Sequence, residues 1–164
     1  MPVAGGPITQ TLAPLVRQVK HSVVTVKATV QALEAYLPTG PGSEFPDGPL
    51  PVTREVHGGG IIVDAGRSLI VTSEHVVKGA EAISVLLFDG RRFAARIILT
   101  DQESDLAFLR IDAAGLVAGT VDCANDAESG DFVLAIGDLL GLEYSASFGI
   151  VSSLQLILAR CFRQ

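Results

Sequence analysis

Apolar positions change their period once near the N-terminus and keep the new one for most of the chain. Leu12, Leu15, Val16 and Val19 recur at i, i+3, i+4 and i+7, which predicts one short amphipathic helix over Thr11 to Lys20 with Pro14 in its first turn. Ser22 to Val30 (SVVTVKATV) is β-branched and partly alternating, and this predicts a strand. Between Leu37 and Thr53 stand Pro38, Pro41, Pro46, Pro49 and Pro51 with three interspersed glycines. Fixed φ angles and missing N–H donors at that density can sustain neither a helix nor a ladder, so a long exposed loop is expected. Strands are then predicted at Gly60–Val63, Leu69–Thr72, Ile83–Phe88, Phe93–Leu99 and Leu106–Ile111, with a single helical turn near His75 and a hairpin signal at Asp89-Gly90. Six short strands at this spacing predict a closed antiparallel barrel.

The stretch from Asp112 to Gly130 is rich in small and acidic residues and reads as a linker; strands follow at Phe132–Ile136 and Ser147–Ser153. Two or three strands cannot close a second barrel. The expected organisation is an N-terminal helical segment (1–21), a first β-barrel (22–111, with its loop at 37–53), a linker (112–130), and a partial second barrel with a divergent tail (131–164).

With 48% apolar residues the chain can build a core, and 12 basic against 18 acidic side chains give a net charge of −6 and a pI near 4.9. That balance speaks against nucleic acid or an anionic membrane as the main partner. The apolar runs Ile83–Phe88 and Leu154–Ala159 fall far short of the roughly 20 residues of a membrane span. The N-terminus MPVAGGPITQTLAPLV has no charged n-region, so as written the chain is expected in the cytoplasm. Cys123 and Cys161 lack CxxC spacing and read as small buried or incidental residues. His21, His57 and His75 share no metal-ligand spacing, and no metal or cofactor is expected. Gly58-Gly59-Gly60 lacks the lysine and following helix of a phosphate loop and reads as flexible backbone entering a strand. Lys78, Arg91, Arg92 and Arg96 read as a solvated face.

Two residues carry candidate chemistry. Amide hydrolysis by a serine requires a general base, a carboxylate that fixes the imidazole tautomer, and donors for the oxyanion. His75 lies in VTSEHVV at a strand end, and Asp105 lies in SDLAFLRI where a strand begins. A core histidine and a strand-capping aspartate on an unrelated barrel is the bland reading. In order and context, however, the run from Gly58 to Asp112, GGGIIVDAGRSLIVTSEHVVKGAEAISVLLFDGRRFAARIILTDQESDLAFLRID, resembles the first barrel of the HtrA/Do-type serine proteases, a branch of the trypsin-like superfamily. DFVLAIGDLLGL and SFGIVSS resemble the opening strands of that family's second barrel. The resemblance covers about Leu15 to Ser153. It implies an all-β, trypsin-like double β-barrel, complete in its first half and incomplete in its second. It further implies His75 as general base and Asp105 as orienting acid, unfolded polypeptides as substrates with no cofactor, a homo-trimer, and the periplasm as an alternative compartment.

The departures from the family matter as much. Its nucleophile lies in a GNSGG-like loop beyond the SFGIVSS strand, and no GNSGG or GxSxG occurs among the 164 residues. That loop also supplies the oxyanion amides, and the strands after it the specificity pocket. Ser73, Ser145, Ser147, Ser152 and Ser153 read as strand and turn hydroxyls. Asp138, Leu139 and Leu140 replace the family's Asn-Pro-Phe, Glu74 departs beside the base, and the tail LQLILARCFRQ reads as out-of-frame or fused coding sequence, with a real edge strand as the alternative. Two functions follow: a truncated, proteolytically inactive HtrA-like endopeptidase homologue, or a non-catalytic module that associates with full-length relatives or unfolded polypeptides.

Overall fold

The structure, a computed structural model, describes residues 11–34, 50–121, 127–139 and 142–153. A short helix α1 (Ala13–Val19) leads into β1 (Val23–Glu34), β2 (Leu50–Asp64), β3 (Leu69–Ser73), a one-turn helix α2 (Glu74–Val77), β4 (Ala80–Leu87), β5 (Arg92–Asp101) and β6 (Leu106–Ile111). The six strands close into a barrel in the order β1-β2-β3-β6-β5-β4, with every pairing antiparallel. A separate two-stranded sheet, β7 (Phe132–Leu139) with β8 (Leu142–Ile150), follows.

Period-2 alternation builds the core. Val24, Val26 and Ala28 of β1, Ile70 of β3, Ile83, Val85 and Leu87 of β4, and Ala107, Leu109 and Ile111 of β6 all point inward and are buried. Each aliphatic side chain removed fully from water contributes about 1.5–3 kcal/mol, so these rows outweigh any exposed contact as the source of barrel stability. Val76 and Val77 of α2 join the same core.

Three sequence expectations change. The ladder reaches into the proline-rich stretch: Glu34 pairs with Leu50 and Leu33 with Pro51, so Leu50 to Thr53 are strand and not loop. Pro51 is tolerated because it is the second residue of β2, near the end of the ladder, where one missing donor costs little; residues 37–49 lie outside the described residues. β8 begins at Leu142 and ends at Ile150, earlier than the predicted Ser147–Ser153. Helix α1 forms, with proline in its first turn, but it buries no residue, and Leu12 and Leu15 remain exposed.

The β7–β8 hairpin lies against the β1–β2 side of the barrel. Its register (Phe132 opposite Ile150, Leu134 opposite Phe148, Ile136 opposite Ala146) puts a wholly apolar row on one face. Phe132, Phe148 and Ile150 on that face are exposed, and the two phenyl rings lie 5.2 Å apart. Apart from Val133, the other face carries small residues, and Gly137 there comes close to Gly59 of β2. Cys123, Cys161 and the tail from Leu154 lie outside the described residues.

Candidate active site

The β3–β6 register builds the site. Thr72 pairs with Ala107 and Ser73 with Leu106, so the next position along β3, Glu74, falls beside Asp105. There the ladder ends and α2 begins. The orphan N–H groups of a first helical turn need acceptors, and the Ser73 side chain supplies none. Asp105 does: its carbonyl accepts the Glu74 N–H at 3.1 Å, and its Oδ1 accepts the His75 N–H at 3.0 Å. Asp105 adopts a left-handed conformation with φ 55°, which aspartate tolerates better than most residues.

The second carboxylate oxygen, Oδ2, lies 2.7 Å from His75 Nδ1. An ionised carboxylate can only accept, so Nδ1 carries a proton and donates, which in the neutral ring leaves the lone pair on Nε2. The His75 side chain is 68% and that of Asp105 41% exposed, so the pair faces solvent. The His75 backbone N–H, and after it the His75 side chain, hold the Asp105 carboxyl below its ordinary value of 3.8. The carboxylate is thus ionised over the whole neutral range, as an orienting acid must be. Beside the pair, Glu74 is largely covered, and its carboxylate lies 3.9 Å from Lys78 Nζ.

The glycine triplet has a role that the sequence reading missed. It sits inside β2, where Gly58 pairs with Val26 and Gly60 with Val24, and these two glycines each permit a close approach. A Cβ on Gly58 would lie 2.5 Å from Val76 Cγ2, and one on Gly60 would lie 3.0 Å from the Val71 carbonyl. The Gly59 carbonyl accepts a 2.8 Å hydrogen bond from the buried Thr72 hydroxyl. Close packing, and not flexibility, therefore explains GGG; a glycine run inside a strand was the available signal. Arg91 also departs from a solvated face: it bonds Asp89 at 2.7 Å and the Ala114 carbonyl at 2.7 Å, tying the β4–β5 hairpin to the segment after β6.

The remaining candidates are spread out. Ser73 closes β3, Ser145 and Ser147 lie on β8, and Ser152 and Ser153 follow it. His57 contacts Glu55 at 3.3 Å, and His21 packs edge-on against Phe88. Asp138 and Leu139 end β7, while Leu140 lies outside the described residues. Among the described residues no group of three or more His, Cys, Asp or Glu side chains is placed to hold a metal.

The trypsin-like peptidase domain family matches residues 58–161, a span that includes both His75 and Asp105. The periplasmic pH-dependent serine endoprotease DegQ of Escherichia coli (strain K12) is 33% identical over 150 residues, covering 88% of this chain and 33% of DegQ. The chain belongs to the HtrA/Do-type branch of the trypsin-like peptidases. The periplasmic serine endoprotease DegP of Salmonella typhimurium is 39% identical over 98 residues, 59% of this chain and 21% of DegP. A variant of the HtrA-type protease AlgW, solved with a decapeptide, superposes with a TM-score of 0.78 at 29% identity, covering 88% of this chain and 45% of that one. The chain thus spans about a third of the length of DegQ and under half of the solved AlgW chain. No helix among the described residues is long and apolar enough to cross a membrane.

Proposed function

We propose that this chain supplies the general base and the orienting acid of an HtrA-type serine endopeptidase site that acts on unfolded polypeptides, and that its 164 residues hold no nucleophile for that base. The observation that carries this reading is the 2.7 Å contact between His75 Nδ1 and Asp105 Oδ2, made by a residue whose carboxylate accepts the His75 backbone N–H and whose main-chain carbonyl accepts that of Glu74. Asp105 fixes the tautomer, so His75 Nε2 is free to take a proton from a serine hydroxyl and return it to the leaving amine, while the carboxylate stabilises the imidazolium formed in between. None of this accelerates cleavage without an attacking oxygen and oxyanion donors, the groups that distinguish transition state from substrate.

Kinship with periplasmic proteases extends this reading to a role in that compartment and to assembly as a homo-trimer; subcellular fractionation separates it from the cytoplasmic alternative. The direct test is hydrolysis of casein and of peptide esters by the purified chain. The expected result is no turnover above buffer, unchanged by His75→Ala. Hydrolysis that His75→Ala abolishes would show that another serine has been recruited. The second reading, a non-catalytic module, draws on the exposed apolar row of Phe132, Phe148 and Ile150. Suppression of casein aggregation without cleavage would favour it.

A further inference from the structure

We infer that Gly58 is a positioning residue for the base: because it carries no side chain, Val76 packs directly onto β2 and seats the helical turn that presents His75 to Asp105. The inference deepens the base–acid reading above and rests on it.

A Cβ on Gly58 would lie 2.5 Å from Val76 Cγ2, 3.0 Å from Cγ1 and 3.3 Å from Cβ. Carbon atoms in contact settle at about 3.5–4.0 Å, so an added methyl demands a displacement of about 1 Å. The question is which element yields. Strand β2 is paired at this point with Val26, which is fully buried in the middle of β1, so it has nowhere to retreat. Val76 is buried and β-branched, and a β-branched side chain in a helix has one strongly preferred rotamer, so it cannot swing aside. Helix α2 is the compliant partner. It is four residues long, and Gly79, in a left-handed conformation at φ 68°, stands two residues beyond its end. Its other anchors are Val77, buried in the barrel core, and the bonds from Glu74 and His75 to Asp105. A 1 Å shift of Val76 passes to the adjacent His75 and takes a 2.7 Å contact beyond the ordinary hydrogen-bond range of about 2.7–3.2 Å.

The test reads the tautomer of the neutral His75 ring from its imidazole ¹⁵N shifts in alkaline solution. The Asp105 contact holds the proton on Nδ1; without it the ring reverts to the Nε2–H form. Wild type is expected to show Nδ1–H. Gly58→Ala is expected to lose it while β1, β3 and β6 keep their backbone resonances, Val76→Ala to retain it, and Gly58→Ala combined with Val76→Ala to recover it. A folded Gly58→Ala chain that keeps Nδ1–H overturns the inference. If Gly58→Ala does not fold, the double variant decides: recovery of fold and tautomer supports the inference, and failure to fold overturns it. An Nε2–H ring in the wild type sinks the base–acid reading and this inference with it, whereas Nδ1–H in both wild type and Gly58→Ala sinks this inference alone.

Discussion

Leu109 stands at the centre of β6, fully buried, opposite Ile70 on one side and Ile97 on the other. Leu109→Ala removes three carbons from the barrel interior. Their transfer back to water is worth about 0.8 kcal/mol each, and the cavity left beside the fully buried Ile70 adds to it, giving about 3–4 kcal/mol within the usual range for buried leucine truncations. In urea, with a slope near 1.5 kcal/mol per M, the midpoint should fall by about 2 M. The control is Ile98→Ala: Ile98 falls at a register irregularity of β5 and is 48% exposed, and its loss should cost no more than about 1 kcal/mol. Both are measured by urea unfolding followed by far-ultraviolet circular dichroism. If Leu109→Ala costs less than about 1 kcal/mol, or no more than Ile98→Ala, the closed barrel does not carry the stability and the frame behind Asp105 has been misread.

Acid should weaken the fold through its paired aspartates. Asp89, Asp101 and Asp105 all titrate below the ordinary 3.8 because they accept hydrogen bonds, from Arg91, from Ser104 and Glu103, and from His75 respectively. A carboxyl lowered by folding adds stability that is fully present above its unfolded value and is lost as pH falls through its lower folded value. Stability should therefore be flat near pH 5–6 and fall below about pH 4, less steeply in Asp105→Asn; a profile with no acid limb would contradict the pairing. Replacing Phe132 and Phe148 together by serine should reduce self-association in analytical ultracentrifugation without lowering barrel stability, because both side chains are mostly exposed. Amide exchange in β7 and β8 should be faster than in β1, β3 and β6; equally slow exchange in a concentration-independent monomer would mean the hairpin has partners not yet identified.

The barrel was legible where alternation was strong. Residues of β6 (LAFLRI) and β3 (LIVTS) announce their buried rows directly, and with them the antiparallel register that brings position 105 to position 75. Strand β2 was only half legible. Its first ten residues, LPVTREVHGG, alternate poorly and include a proline, and they are strand because β1 pairs along their whole length; pairing of that kind is a tertiary fact. The same limit hid the glycine triplet, whose purpose depends on Val76 and Val71, side chain and carbonyl brought in from other elements. His75 and Asp105 were readable as a pair because their sequence contexts are specific. The helix-capping by Asp105 was not, since nothing local predicts a left-handed aspartate 30 residues away from the turn it caps.

Intact-mass spectrometry after treatment with a fluorophosphonate, which phosphonylates serines activated by a histidine–aspartate pair, tests the proposal that His75 and Asp105 have no serine to activate. The expected spectrum shows the unmodified mass of the chain, identical for wild type and His75→Ala. A stoichiometric adduct on one serine of the wild type that disappears in His75→Ala would contradict it.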